Sequence, residues 1–198
     1  MTARPAIFDF DDNAEWGPRL WESLHPYLPG DMAQIIQAAE PEFIEDAADI
    51  VLKHADKQVL SEVMTDWLRS QRIRGYHGTR VNADELNSIC RDGLLPLRVQ
   101  QRTDRLQRAL SQHPRWGEVA HTLPAALELF GPGMHSGRRE GQVHLTVSRA
   151  GLVDSFNHYL KEGSEFDWHV SHHLLGREGQ ALMAADGETY LIALLVPG

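Results

Sequence analysis

The sequence predicts an α+β fold in which a helical N-terminal part precedes a part that mixes strands with helices. Apolar residues recur at helical spacing before residue 70. Gln71–His77 then alternates Ile73, Gly75 and His77 on one face with Arg72, Arg74 and Tyr76 on the other. Near the end, Thr189–Val196 is a continuous apolar run, typical of a strand in the centre of a sheet. Helices followed by strands with helical insertions indicate the α+β class.

The first 70 residues are predicted to form a helical subdomain. Residues 1–30 contain several prolines and few periodic positions, so we expect an extended or loosely packed lead-in. One helix is expected from Asp31, which can cap it, to about Ala39. A second is expected at about 41–54, where Pro41 suits the first turn. A third helix, about 56–70, carries an apolar stripe formed by Val59, Leu60, Val63, Met64, Trp67 and Leu68.

After the strand, the clearest local signal is that of a capped helix at 83–92. Asn82 with Glu85 three residues later forms a capping box, and Gly93 stands where a left-handed C-cap belongs. An arginine-rich helix is expected at about 99–112, followed by a less regular helical stretch at 115–130. Gln142–Ser148 is then predicted to be a strand and Leu152–Lys161 a helix.

The net charge of −9 is concentrated in the front third of the chain. Residues 1–66 have a balance of −10 and the remaining residues a balance of +1. This distribution argues against a nucleic-acid-coating surface on the whole molecule. We interpret the acidity as a solubility feature; the alternative is that the acidic subdomain contacts a basic partner or the core.

The sequence predicts a cytoplasmic protein that does not associate with a membrane. No apolar run approaches membrane-spanning length, and Met1–Asp12 lacks the apolar region of a secretory signal. The single cysteine, Cys90, cannot form an internal disulfide, which fits a reducing compartment. We expect Cys90 on the buried side of the 83–92 helix.

One motif stands out from this background. Tyr76-His77-Gly78-Thr79-Arg80 places a histidine near a strand end, and Gly78 removes side-chain bulk beside it. The capped helix follows, and then Gly93-Leu94-Leu95-Pro96. In this order, and with a later strand that leads into a helix containing Tyr159, these residues resemble the ADP-ribosyltransferase superfamily. That superfamily includes diphtheria-toxin-like and poly(ADP-ribose)-polymerase-like enzymes and RNA 2′-phosphotransferases.

The resemblance implies a fold and an activity. It divides the chain into an acidic helical subdomain, 1–70, and an ADP-ribosyltransferase-like domain, 71–198, with a mixed or antiparallel split sheet. The implied activity is that of a glycosyltransferase, which binds NAD as a substrate, releases nicotinamide and transfers ADP-ribose to a protein or nucleic-acid target.

The resemblance also implies site residues. His77 would position the ribose, and Tyr159 would stack on the nicotinamide. Arg80 would pair with the pyrophosphate, in a segment where Arg69, Arg72 and Arg74 lie without an intervening acid. The full NAD-binding set is His77, Gly78, Thr79, Arg80, Ser148 and Tyr159.

A carboxylate is expected to stabilise positive charge on the ribose. Glu188, just before the last strand, and Glu165, after a turn of small residues, are both candidates. The catalytic set implied by the resemblance is therefore His77 and Tyr159 with Glu165 or Glu188.

Two other functions remain open. An RNA 2′-phosphotransferase would use Arg74, Arg80 and Arg102 around an RNA phosphate. A non-catalytic module on the same fold would bind a nucleotide or a partner protein. Arg102, Arg105 and Arg108 recur every three residues, which is typical of a solvated helix face; the alternative is contact with a nucleic acid or an acidic protein surface.

The chain also contains a histidine cluster, His169, His172 and His173. His169 and His173 are four residues apart, as in zinc-binding helices. No glutamate lies between them and no third ligand is evident, so no metal site is assigned.

Overall fold

The computed structural model describes residues 6–96, 98–130, 142–155 and 157–198, apart from the side chain of Ile44. The predicted α+β class is confirmed. The strands are β1 Ile7–Phe8, β2 Arg72–Val81 and β3 Glu188–Pro197. The α-helices, in chain order, are α1 Asn13–Leu24, α2 Met32–Ala39, α3 Ile44–His54, α4 Lys57–Arg69, α5 Ala83–Asp92, α6 Val99–Leu110, α7 Trp116–Val119, α8 Leu123–Phe130, α9 Arg149–Asp154, α10 His158–Lys161 and α11 Glu165–Ala185.

The three described strands form a mixed sheet in the order β1-β2-β3. β1 pairs with β2 in parallel, with Ile7 opposite Arg72 and Phe8 opposite Ile73. The prediction of a central strand at 189–196 is wrong in its position. β3 lies at the edge of the described sheet, and none of its residues is fully buried. An apolar run alone does not distinguish a central strand from an edge strand.

One compact unit consists of residues 1–75 and 194–198. Its core is an aromatic cluster in which the Phe8 ring lies 5.1 Å from the Trp16 ring and 5.7 Å from the Trp67 ring. The expected extended lead-in is wrong, because residues 13–24 form helix α1 with Pro18 inside it. Packing of Trp16 on Phe8, and hydrogen bonds from Arg19 to Gln71 and the Ile7 carbonyl, outweigh the local proline signal.

The other helices of this unit lie close to their predicted positions. α2 matches the expected 31–39, whereas α3 begins at Ile44, three residues after Pro41. α4 starts after Asp56, whose Oδ1 accepts hydrogen bonds from the backbone N–H groups of Gln58 and Val59. In its predicted apolar stripe, Leu60 and Trp67 are buried and Met64 is exposed.

The second compact unit consists of residues 76–193. Helices α6, α8 and α11 supply its core, which contains Leu106, Ala109, Leu110, Leu123, Ala126, Phe166, Val170, Leu174, Leu175 and Met183. α11 was not predicted, and it bends sharply at Gly176, where φ is 64°. A Cβ at Gly179 would overlap the Ser171 carbonyl, so the two halves of α11 approach each other closely at this glycine.

The predicted strand Gln142–Ser148 is wrong. This segment makes one antiparallel bridge, between Tyr76 and Thr146, with N–H···O distances of 2.7 and 2.9 Å. The Ser148 hydroxyl instead accepts a hydrogen bond from Gly151 N–H at 2.9 Å and starts α9. Such side-chain to backbone bonds compete with a strand ladder. The predicted helix at 152–161 is accordingly two short helices, α9 and α10.

The capped helix α5 is confirmed at both ends of its predicted range. Asn82 Oδ1 accepts from Glu85 N–H at 2.9 Å, and Glu85 Oε2 accepts from Asn82 N–H at 3.0 Å. Gly93 has the expected positive φ of 81°, but its ψ of −176° is extended and not left-handed helical. The expected burial of Cys90 is wrong, because its side chain is exposed.

Among the described residues, no helix combines the length and the apolar character that crossing a bilayer requires.

Gly187 gives a test of the packing between the end of α11 and β2. A Cβ at this position would lie 2.7 Å from the Val81 carbonyl carbon and 3.0 Å from Val81 N, both rigid backbone atoms. We expect Gly187→Ala to lower the free energy of unfolding by about 1–3 kcal/mol, measured by urea denaturation. Gly117→Ala is the matched control, since nothing lies within 4 Å of its Cβ position. Equal stabilities for the two variants would contradict the packing described.

Candidate functional site

His77 is held in one orientation by the backbone. Its half-buried ring lies on β2, with Nδ1 at 2.9 Å from the carbonyl oxygen of His144. Because a carbonyl only accepts hydrogen bonds, Nδ1 must carry a proton, and Nε2 in the neutral ring is then an acceptor. Nε2 has no hydrogen-bond partner among the described residues. The ring therefore offers a fixed acceptor to a hydroxyl or amide donor.

Gly78 is required by packing within the chain. A Cβ at this position would lie 3.0 Å from Leu160 Cδ2 and 3.2 Å from Leu152 Cδ1. The space that the sequence left open beside the histidine is thus filled by leucines of α9 and α10. Because side chains alternate along a strand, His77 projects to the face opposite this contact. Tyr159 precedes Leu160, and its half-buried ring lies 4.0 Å from the His158 ring.

The Arg80 guanidinium donates hydrogen bonds to groups of its own chain. Nη2 donates to the carbonyls of Ala184 and Gly187 at 2.5 and 2.6 Å, and Nη1 donates to Thr189 Oγ1 at 2.9 Å. Thr189 in turn donates to the Leu160 carbonyl at 2.8 Å. Arg80 therefore caps the C-terminal end of α11 and fixes the start of β3. Its neighbour Thr79 is half-buried.

The other arginines near the motif also have partners within the chain. Arg74 forms an ion pair of 2.8 Å with Asp9, Arg69 lies 3.4 Å from Asp66, and Arg72 donates to the Leu195 carbonyl at 3.4 Å. The positive segment of the sequence is thus partly neutralised in the fold. Asp9, 65 positions before Arg74, could not be connected with it from the sequence.

Ser148 also has a local structural role, as the N-cap of α9. Its Oγ accepts from the Gly151 N–H, so this hydroxyl fixes the helix that follows the Tyr76–Thr146 bridge.

The two candidate carboxylates lie on different elements. Glu188 begins β3, is exposed, and accepts a hydrogen bond of 3.2 Å from the Tyr190 hydroxyl. The adjacent Gly187 contacts Val81, four residues beyond His77, which corresponds to about 13 Å along a strand. Glu165 lies in the first turn of α11, with Oε1 at 3.9 Å from His169 Nε2. The structure therefore separates Glu188 from His77.

The arginine stripe of α6 is only in part the solvated face that its spacing predicts, because Arg108 is exposed and Arg105 is buried. The Arg102 guanidinium lies 4.5 Å from the centre of the Phe166 ring. Arg105 is 8% exposed; it donates to the Arg80 carbonyl at 2.8 Å and lies 3.5 Å from Asp167 Oδ2. Arg108 binds Asp186 at 2.7 Å and Glu85 at 3.1 Å. The acids that pair with this stripe are distant in the sequence, so no local signal revealed them.

Asp167 is the most buried of these charged groups, at 2% exposure. Neither of its carboxylate oxygens has a hydrogen-bond partner among the described residues. Burial raises the pKa of Asp167, and the positive charges of Arg105 and Arg102 oppose that rise only in part. The Arg105–Asp167 pair is therefore a buried ion pair with incomplete hydrogen bonding.

Two of the three histidines of α11 pack against an aromatic ring. The His169 ring is stacked on Phe130 at 6.0 Å, and the His173 ring meets Phe130 edge-on at 5.5 Å. Within the described ranges, no group of three or more histidine, cysteine or acidic side chains is placed to hold a metal ion.

A cavity of about 380 Å³ opens beside the end of β2. Val81, the first turns of α5 and the turn that joins α11 to β3 form its walls, and both Glu188 and Tyr190 line it. Its volume lies near the lower end of the range for small-molecule sites.

Comparison of the chain with protein-family models, with curated proteins and with solved structures finds no match in any of the three.

Asp167→Asn tests the buried carboxylate, since it keeps the shape and removes the charge. A folded-state pKa raised above 3.8, the ordinary value, means that protonation stabilises the fold. The contribution of Asp167 is then fully present below that ordinary value and is lost as pH rises through the folded-state pKa. We expect the stability of the wild type relative to Asp167→Asn to fall as pH rises from about 4, in urea titrations.

The control is Asp66→Asn, which changes an exposed acid in a surface ion pair. A stability difference between wild type and Asp167→Asn that is flat or rises with pH would contradict the assignment.

Proposed function

We propose that the unit formed by residues 76–193 binds NAD through His77 and is an ADP-ribosyltransferase-like domain with the split-sheet core of that superfamily. The support is the order of its parts. β2 carries His77, the capped helix α5 ends at Gly93 with positive φ, and the Tyr76–Thr146 bridge places the segment before α9 beside β2. Tyr159 follows on α10.

The observation that carries the proposal is the hydrogen bond between His77 Nδ1 and the His144 carbonyl. It fixes the tautomer in which Nε2 accepts a hydrogen bond, and a ribose hydroxyl is a matching donor. A half-buried, pre-oriented acceptor binds such a hydroxyl without the entropic penalty of ordering the ring.

The proposed reaction breaks the bond between the nicotinamide nitrogen and the ribose. The bonding electron pair leaves with nicotinamide, which becomes neutral, and positive charge develops on the ribose. An acceptor nucleophile then forms a bond to that carbon and loses a proton. Glu165 would stabilise the positive charge and orient the acceptor, since Glu188 is separated from His77, and Tyr159 would supply a flat wall for the leaving ring. The acceptor is a protein or a nucleic acid.

The arginine contacts favour this reaction over RNA 2′-phosphotransfer. The latter requires cationic side chains directed at an RNA phosphate. Arg80 donates to its own chain, Arg74 pairs with Asp9, and Arg102 lies on Phe166. NAD recognition would accordingly depend on the ribose and nicotinamide more than on the pyrophosphate.

His77→Ala tests the proposal. We expect it to weaken NAD binding about tenfold, measured by calorimetric titration, because one oriented hydrogen bond to the ribose hydroxyl is lost. His144→Ala is a matched control, since it removes an exposed histidine ring but keeps the carbonyl that holds His77. Absence of binding at millimolar NAD would reject the proposal.

Nicotinamide release, followed by chromatography, separates the enzyme from a non-catalytic module on the same fold. Binding without release would favour the module. If release occurs, Glu165→Gln tests the carboxylate: we expect it to lower the release rate while leaving NAD affinity unchanged, because it removes a group acting in the transition state. Glu188→Gln is the control, since Glu188 is separated from His77.

A further inference from the structure

The cavity beside the end of β2 has unbalanced negative charge. Three acids lie in or next to it: Asp186, Glu85 and Glu188. Arg108 pairs with the first two, at 2.7 and 3.1 Å. Glu188 is bound only by the Tyr190 hydroxyl, and no cationic side chain among the described residues pairs with it. Glu188 therefore presents a net negative charge to the cavity.

Tyr190 makes the cavity still more suitable for a cation. The neighbouring Glu188 carboxylate accepts its hydrogen bond and raises the pKa of the Tyr190 phenol, so Tyr190 stays neutral. A neutral phenol beside a carboxylate offers a π face and a full negative charge to the same ligand, which are the two features that attract a cation.

The helix N-terminus in the cavity wall does not make the site suited to an anion. The Glu85 N–H at the start of α5 is bound by Asn82 Oδ1. The first turn also contains Asp84 and Glu85. These acids already complement the helix dipole and repel a further negative group.

Part of the remaining wall is apolar, and Asn82 and Asn87 complete it. Val81 is buried and Leu86 is half-buried, and both line the cavity. Such a surface suits the methylene stem of a long cationic side chain, whose charged end would reach the carboxylate.

From these contacts we propose that the cavity binds a guanidinium or ammonium group carried on an aliphatic stem, with Glu188 as the charge partner and Tyr190 as the aromatic wall. The source of this group is a basic side chain of a protein or a free small amine. The site is separate from His77, and its occupancy does not depend on NAD binding.

The experiment compares two probes of the same shape and different charge. N-acetyl-arginine methylamide and N-acetyl-citrulline methylamide are titrated separately into the full chain at low salt, with amide NMR shifts as the readout. We expect the arginine probe to bind about fivefold more tightly and to shift the amides of Val81 and Tyr190. Equal affinities, or no binding of the arginine probe, would overturn the proposal.

Variants locate the effect. Glu188→Gln keeps the shape of the side chain and should abolish the preference for arginine over citrulline. Glu128→Gln, at an exposed acid of α8 outside the cavity, should leave the preference intact. Persistence of the preference in Glu188→Gln would overturn the assignment of Glu188. Circular dichroism of both variants checks that they fold.

Butylguanidinium, which has the same single charge but no peptide groups, then separates the two sources of the ligand. Tighter binding of butylguanidinium than of the arginine probe indicates a free small cation, and weaker binding indicates a side chain held within a peptide. None of these titrations uses a nucleotide, so absence of cation binding in the cavity can be distinguished from absence of NAD binding at His77.

Discussion

The hydrogen bonds of Arg80 are the interaction on which the second unit depends most. One guanidinium joins the end of α11, the turn after it and the first residues of β3 to strand β2. Arg105 adds a further link by donating to the Arg80 backbone carbonyl. Because the helix C-terminus has carbonyls without helical partners, a charged donor here satisfies several groups at once. His77 and Glu188 both lie on strands that these bonds hold.

Much of the local structure could be predicted from the sequence because its signals are local. The capping box of α5 requires only Asn82 and Glu85, three residues apart, and that helix has its predicted bounds. The cap of α4 is also a local feature, because the Asp56 side chain accepts from backbone N–H groups two and three residues later. Where two signals competed, the prediction failed: Gln142–Ser148 alternates like a strand, but the Ser148 cap redirects the chain into α9.

The candidate site was harder to predict because its contacts are distant in the sequence. The motif around His77 indicated a ring next to empty space, but Leu152 and Leu160, more than 70 residues away, fill the space beside Gly78. Distant contacts also account for Arg80. The resemblance implied that Arg80 pairs with the pyrophosphate, but its guanidinium donates to carbonyls of its own chain. α11 escaped detection because its apolar residues change face at the Gly176 bend.

The arginine row of α6 has a consequence for the uniqueness of the fold. Arg102, Arg105 and Arg108 each meet a different partner: an aromatic face, a buried carboxylate, and a pair of acids from two elements. A slip of α6 by one turn would move Arg102 or Arg108 towards Asp167 and take each of them away from its own partner, the Phe166 ring or the pair Asp186 and Glu85. Apolar contacts alone would tolerate such a slip more easily. The three arginine contacts thus favour one packing register of α6 over its alternatives. They make the fold more specific, although a buried ion pair contributes little to its net stability.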